Sequence, residues 1–238
     1  MIRKCQICKK RIAHHVHHID GNHKNSKPEN QQLVCTLCHA KIHGIEPNIS
    51  ELRKLTDYYK KAQKIRISTE HYLRSYNRLE LIPPKVTIEM LTQSKQLEKI
   101  CKKEIIKYFK IKENQIPIYK WLISIKGISN ILAAQLLANI DIKKTPGITN
   151  LWSYAGLKPG DNKKKGNKCN WNHTLKNICY LISDGFVKQR TPKYRNAYDK
   201  EKEKQLKNKL PKGHADNRAR RKAVKIFLKD LYLQWKKD

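Results

Sequence analysis

Two C-x-x-C pairs, Cys5/Cys8 and Cys35/Cys38, enclose His17-His18 and Asn30, and a His39/His43 pair four residues apart closes the stretch. Four thiolates at this spacing close a tetrahedral site, so a structural Zn2+ on Cys5, Cys8, Cys35 and Cys38 is expected, with a redox dithiol as the alternative. The histidines need not be spent on that zinc. Cutting a phosphodiester requires a base to activate water, a cation to stabilise charge on the phosphate and leaving oxygen, and groups that hold both in line. His18 has the chemistry of the base, and Asn30 can accept from its other ring nitrogen and so fix its tautomer. His17 and His39 can hold Mg2+ or another divalent cation, while His43, one helical turn past His39, can complete that site or touch phosphate. The plainer reading is a zinc ribbon with surface histidines, His14, His15 and His23 among them. It accounts for the cysteines and leaves the two His pairs without a purpose.

The elements that must position these residues are short. Gly21, Asn22, Asn25, Ser26 and Pro28 mark a polar loop, residues 31–34 read as extended, and 35–43 read as a helix stopped by Gly44 and Pro47. A unit of that size is not stable on packing alone, and bound zinc would supply the missing free energy. Beyond it the chain reads as helical. Residues 50–82, capped by Ser50, repeat Leu52, Leu55, Tyr59, Ala62, Ile65, Leu73, Tyr76 and Leu79 at helical intervals until Pro83-Pro84. A second helix from Thr87 to about residue 111 turns Ile88, Leu91, Leu97, Cys101, Ile105 and Tyr108 inward, which makes an antiparallel hairpin.

In residues 118–140 two apolar segments meet at Gly127. The tight bend leaves backbone N–H groups at a helix N-terminus, a ready phosphate site with Lys126, Gly127, Ile128 and Ser129 as its contacts. The pattern is similar to a helix-hairpin-helix motif, and a buried helical corner is the alternative. Lys163, Lys164 and Lys165 lie in a cationic loop, and a helix follows from Asn172 with Leu175, Ile178, Cys179 and Ile182 on one side. Residues 200–209 read as a mobile or helical connector. A last helix, from about 216 to 235, sets Ala223, Phe227 and Leu231 on one face and Arg218, Lys222, Lys225 and Lys229 on another, with Arg221 beside them as a further phosphate contact.

The 238 residues include 52 Lys and Arg against 20 Asp and Glu, a formal charge of +32 spread along the whole chain. A polyanion is the partner such a surface selects, because neutralising phosphates releases counterions. DNA is expected, with RNA or an RNA guide also compatible, and a homodimer is possible. No apolar run suits a membrane and no signal segment opens the chain, so a cytoplasmic or nucleoid-associated location is expected. Cys101, Cys169 and Cys179 read as ordinary, partly buried thiols.

The order C-x-x-C, H-H-I, E-N, C-x-x-C-H and I-H over about residues 1–44 resembles the zinc-containing branch of the HNH endonucleases, of the ββα-metal class. That resemblance implies His18 as general base, Asn30 as its orienting residue, and His17 and His39, with His43 less firmly, as ligands of the catalytic cation. Many relatives place Asp where His17 stands, and the bacterial toxin nucleases resemble this chain in having His there.

Over residues 118–238, the runs I-K-G-I-S, W-S-Y-A-G-L-K-P and G-H-A-D-N-R-A-R-R-K resemble the C-terminal helix-hairpin-helix domain of insertion-sequence transposases. Those enzymes add an RNase-H-like acidic domain, for which this chain has neither length nor carboxylates. They also carry a Ser after the G-L-x-P turn, and residues 160–169 have none. The resemblance therefore implies a nucleic-acid-binding platform from a mobile element or phage.

The expected fold is α+β, mostly α: a small ββα-metal zinc module, a long helical hairpin and a helix-hairpin-helix-type all-α domain. The expected division is 1–48, 49–115, 116–190 and 191–238. The expected activity is metal-dependent DNA hydrolysis, one strand per active site. The alternatives are a non-catalytic zinc-dependent nucleic-acid-binding or recombination accessory protein, and a transposase-related recombinase.

Overall fold

The computed structural model describes residues 3–43, 47–112, 116–158, 166 and 169–237. The fold is α+β and mostly helical, as expected, and the chain divides into two compact units, Met1–Lys54 and Leu55–Asp238.

In the first unit, β1 (His15–His18) pairs antiparallel with β2 (Gln31–Val34), His15 opposite Val34 and His18 opposite Gln31. A 3-10 turn at Pro28–Asn30 leads into β2, and α1 (Thr36–Ile42) follows, packed on β1. Strand, loop, strand and helix thus come in the order the sequence predicts. The core consists of Cys5, Val34, Cys35 and Cys38, with Cys8 and Leu37 against it. So few apolar groups cannot offset the chain entropy of some fifty residues.

The second unit takes in most of α2 (Pro47–Arg78), then α3 (Lys85–Ile111), α4 (Ile118–Ser124), α5 (Asn130–Asn139), α6 (Ile148–Tyr154), α7 (His173–Lys188), α8 (Pro192–Lys207) and α9 (Lys212–Lys237). α2 starts at Pro47, so Ser50 lies inside its first turn instead of capping it. Proline is compatible with that first turn because its missing N–H would have no helical partner there. α2 and α3 run antiparallel, since Arg66 bonds Glu98 at 2.7 Å while Lys95 reaches back to Glu70 at 4.0 Å.

Of the expected inward faces of α2 and α3, Leu52, Tyr59, Ala62, Ile105 and Tyr108 are buried, and the rest of the seam differs. Thr69, Ser94 and Glu98 are buried, whereas Ile65, Leu79, Ile88 and Leu97 are exposed. A two-helix hairpin buries only one narrow stripe per helix, and the pair from Arg66 to Glu98 occupies it. The apolar side chains that lie off that stripe stay exposed.

Of the two readings of residues 200–209 the helical one holds, since most of them belong to α8, but that helix pairs closely with α9 and is more than a connector. Ala215, Ala219 and Ala223 are fully buried on α9, and their small side chains permit that approach. Phe227 sits at the centre, its ring 5.4 Å from Phe186 and 5.7 Å from Tyr194. Leu175, Ile178, Cys179 and Ile182 are buried on α7, as their spacing indicates.

Candidate metal centre and nucleic-acid interface

Cys5 and Cys8 sit on a turn closed by the Lys9 N–H donating to the Cys5 carbonyl at 2.9 Å, with Lys9 in the left-handed region at φ 54°. Cys35 is the N-cap of α1 and Cys38 lies in its first turn, so the helix start sets the second pair. The four Sγ atoms lie within 4.8 Å of one another, and Cys8 and Cys35 are 3.9 Å apart. Zn–S bonds near 2.3 Å in a tetrahedron place sulfurs about 3.8 Å apart, so this donor set fits a Zn2+ ion. Electrostatics point the same way. Burial pushes the Cys5 thiol up, but backbone N–H donors of Cys35, Cys8 and Ile7 outweigh it and bring it down to about 6. Burial, then the crowding of the other three sulfurs, pushes Cys38 up to about 12. Four thiolates this close need a cation between them.

The histidines divide by strand alternation, since successive side chains of β1 face opposite ways. His15 and His17 share one face with α1, their rings 5.0 and 5.5 Å from that of His39. Ring nitrogens of His17, His39 and His43 lie within 4.8 Å of one another, and the His39 and His43 Nε2 atoms are 3.2 Å apart. This trio is a donor set that one divalent cation can bridge. Burial, followed by the neighbouring imidazoles of His43, His15, His17 and His23, holds His39 below its ordinary value, which favours its neutral form. His18 faces the other way, its ring 5.1 Å from His23 and its Nδ1 buried with no hydrogen-bond partner among the described residues.

The expected bond from Asn30 to His18 requires correction. The Asn30 Oδ1 accepts from the Asp20 N–H at 3.0 Å, and its Nδ2 donates to Asp20 Oδ1 and to the Asn25 carbonyl, both at 2.9 Å. Asn30 therefore orders the loop that follows His18. Asp20 is the residue that sequence reasoning missed. Its carboxylate also accepts from the Asn25 Nδ2 at 2.7 Å and the Asn22 N–H at 2.8 Å, which hold it below the usual carboxylate range, the Asn25 bond foremost. The D-G-N run was the available signal, because Asp and Asn in turns bond backbone two residues on.

The bend at Gly127 is present, with φ +98°, and Ser129 caps α5 by accepting from the Leu132 N–H at 3.2 Å. Lys126 and Ser129 are exposed, whereas Ile128 is buried and the Lys126 carbonyl accepts from Thr191 Oγ1 at 2.6 Å. Gly127 meets Gly185 of α7 backbone to backbone, which explains both glycines. On α9, Arg218, Arg221 and Lys222 are exposed. Lys225 rests its Nζ 4.5 Å from the Trp152 ring, and burial, then Arg221 and Lys222, lower its pKa. Lys163, Lys164 and Lys165 lie outside the described residues.

Among the described residues no helix is long and apolar enough to cross a membrane. No curated protein matches the chain. Residues 119–198, which run from α4 to the middle of α8, are similar to the Transposase IS116/IS110/IS902 family, a match over a third of the chain.

Proposed function

We propose that this chain acts on DNA as a transposase-related protein of a mobile element, its helical unit serving as the platform that grips nucleic acid. The family match over residues 119–198 carries this reading. The charge of +32 supports it, since phosphate neutralisation is the term such a surface maximises.

A second reading, HNH-type phosphodiester hydrolysis by the N-terminal unit, is favoured by one observation, the convergence of His17, His39 and His43 beside a four-cysteine cluster. A divalent cation on the three histidines would stabilise charge on the phosphate. In this reading His18 removes the proton from the attacking water through Nε2, and Asn30 with Asp20 fixes the loop that follows it. One experiment separates the readings: supercoiled plasmid and structured RNA are incubated with wild type, His18→Ala and Asn30→Ala, with Mg2+, Mn2+ or EDTA. Nicking that needs the cation and falls at least ~100-fold in His18→Ala supports hydrolysis by this unit. DNA binding without cleavage leaves the platform alone, and strand-joined products indicate recombination. Absence of DNA binding would falsify the proposal as a whole.

A further inference from the structure

α7 and α9 face each other across a cleft of about 600 Å³, lined in part by Gly156, Lys176, Tyr180, His214, Arg218 and Arg221. Lys176 and Tyr180 are one turn apart on α7, and His214, Arg218 and Arg221 follow at four and three residues on α9, so each set shares a face. Arg220 also reaches the cleft, but Asp216 at 2.6 Å and Asp184 at 3.2 Å neutralise it. Among the described residues no carboxylate pairs with Lys176, Arg218 or Arg221. Arg218 donates to the neutral Gln205 amide at 2.9 Å, and Lys176 lies 4.7 Å from the Trp171 ring. Among the described residues these three cations therefore face the cleft without a carboxylate partner.

Its dimensions narrow the class of ligand. A concavity of this volume accepts a ligand of nucleotide size, and a duplex cannot enter it. Tyr180 lies on its wall with 52% of its surface exposed and the Arg220 guanidinium 5.3 Å from its ring. A cationic groove beside an exposed aromatic ring is how proteins hold single strands, phosphates on the cations and bases on the ring. Gly156 is part of this construction. With φ +66°, a Cβ there would meet the Trp171 ring at 2.9 Å and Lys176 at 3.0 Å, so glycine allows both to close on the turn.

We infer that the α7–α9 cleft holds one unpaired nucleotide of a single-stranded polynucleotide, its phosphate on Lys176, Arg218 and Arg221 and its base against Tyr180. This rests on the nucleic-acid reading above and adds the form of substrate. Fluorescence anisotropy on the full chain tests it with labelled oligothymidylate, the same strand annealed to oligoadenylate, and oligouridylate. Tyr180→Ala and Arg221→Gln should each weaken single-strand binding on the order of tenfold and change duplex binding by less than about twofold. Tyr180→Phe should retain wild-type affinity, because stacking needs the ring and not the hydroxyl. Lys204→Gln, exposed on α8 outside the cleft and with the same change of charge as Arg221→Gln, should leave single-strand affinity unchanged.

Tighter binding of thymidylate or of uridylate identifies DNA or RNA as the source of the strand, and either agrees with the cleft assignment. Equal losses on single strand and duplex, or no loss in Tyr180→Ala, overturn the cleft and leave duplex binding by the platform standing. Failure of wild type to bind any of the three probes overturns both.

Discussion

At the scale of single residues, the first unit depends on sulfur and amide groups that each have two tasks. Cys35 is both a ligand candidate and the N-cap of α1, its Sγ accepting from the Cys38 N–H at 3.5 Å. Its loss should remove the metal and the helix start together. Cys35→Ala is expected to reduce bound zinc from one equivalent per chain to none and to unfold the β1–β2–α1 unit, since structural zinc supplies on the order of 10 kcal/mol to such modules. Metal analysis with hydrogen exchange of the β2 amides checks this, and full zinc content with protected amides would rule out the four-cysteine site. Asn30 is similar in kind. Buried at 7% exposure, it satisfies three loop partners, so its value lies in holding the chain after His18 in one conformation.

At the scale of elements, two contacts of the helical unit lend themselves to measurement. An alanine Cβ at Gly185 would stand 2.6 Å from the Gly127 carbonyl oxygen. Helix propensity favours alanine by roughly 1 kcal/mol, but the obstacle is backbone and cannot swing aside, so overpacking should win. Gly185→Ala is expected to destabilise by about 1–3 kcal/mol, read as a lower urea midpoint with an unchanged slope. An unchanged midpoint would mean that the 125–129 turn and α7 can part without cost.

The second contact is the clasp of α8 on α9. Burial raises the Asp216 carboxyl, yet donors from Tyr198, Arg220 and Lys202 outweigh it and bring it to about 2 from 3.8. A carboxyl depressed on folding stabilises fully above its unfolded value and loses that contribution as pH falls through its folded value. Stability should therefore drop by about 2 kcal/mol between pH 5 and pH 2 on account of this group alone. Asp216→Asn should flatten that part of the pH profile of thermal unfolding; a profile identical to wild type would show the clasp to be energetically silent.

At the scale of the whole molecule, a charge of +32 makes ionic strength the main control on any polyanion contact. If six or more phosphates are neutralised, affinity for a DNA duplex should fall by about 1,000-fold or more between 50 and 200 mM salt. A titration of affinity against salt gives the number directly, and a flat plot would exclude the basic surface as the binding face.

The parts of this protein readable in its sequence were those set by local spacing. C-x-x-C pairs fix ligand geometry through a turn, Gly127 marks a bend, and the periodicity of Ala223, Phe227 and Leu231 marks a buried face, because each depends on neighbours within a few residues. The tertiary structure decided which polar groups meet. Arg220 and Arg221 are adjacent and alike in sequence, yet one is neutralised by Asp184, 36 residues away, and the other faces an open cleft. His17 joins α1 while His18 turns to His23, and Asn30 goes to Asp20 instead of His18. Such partnerships follow from which faces of distant elements pack together, and the free energy that selects them is summed over the whole core, so no short stretch of sequence contains it.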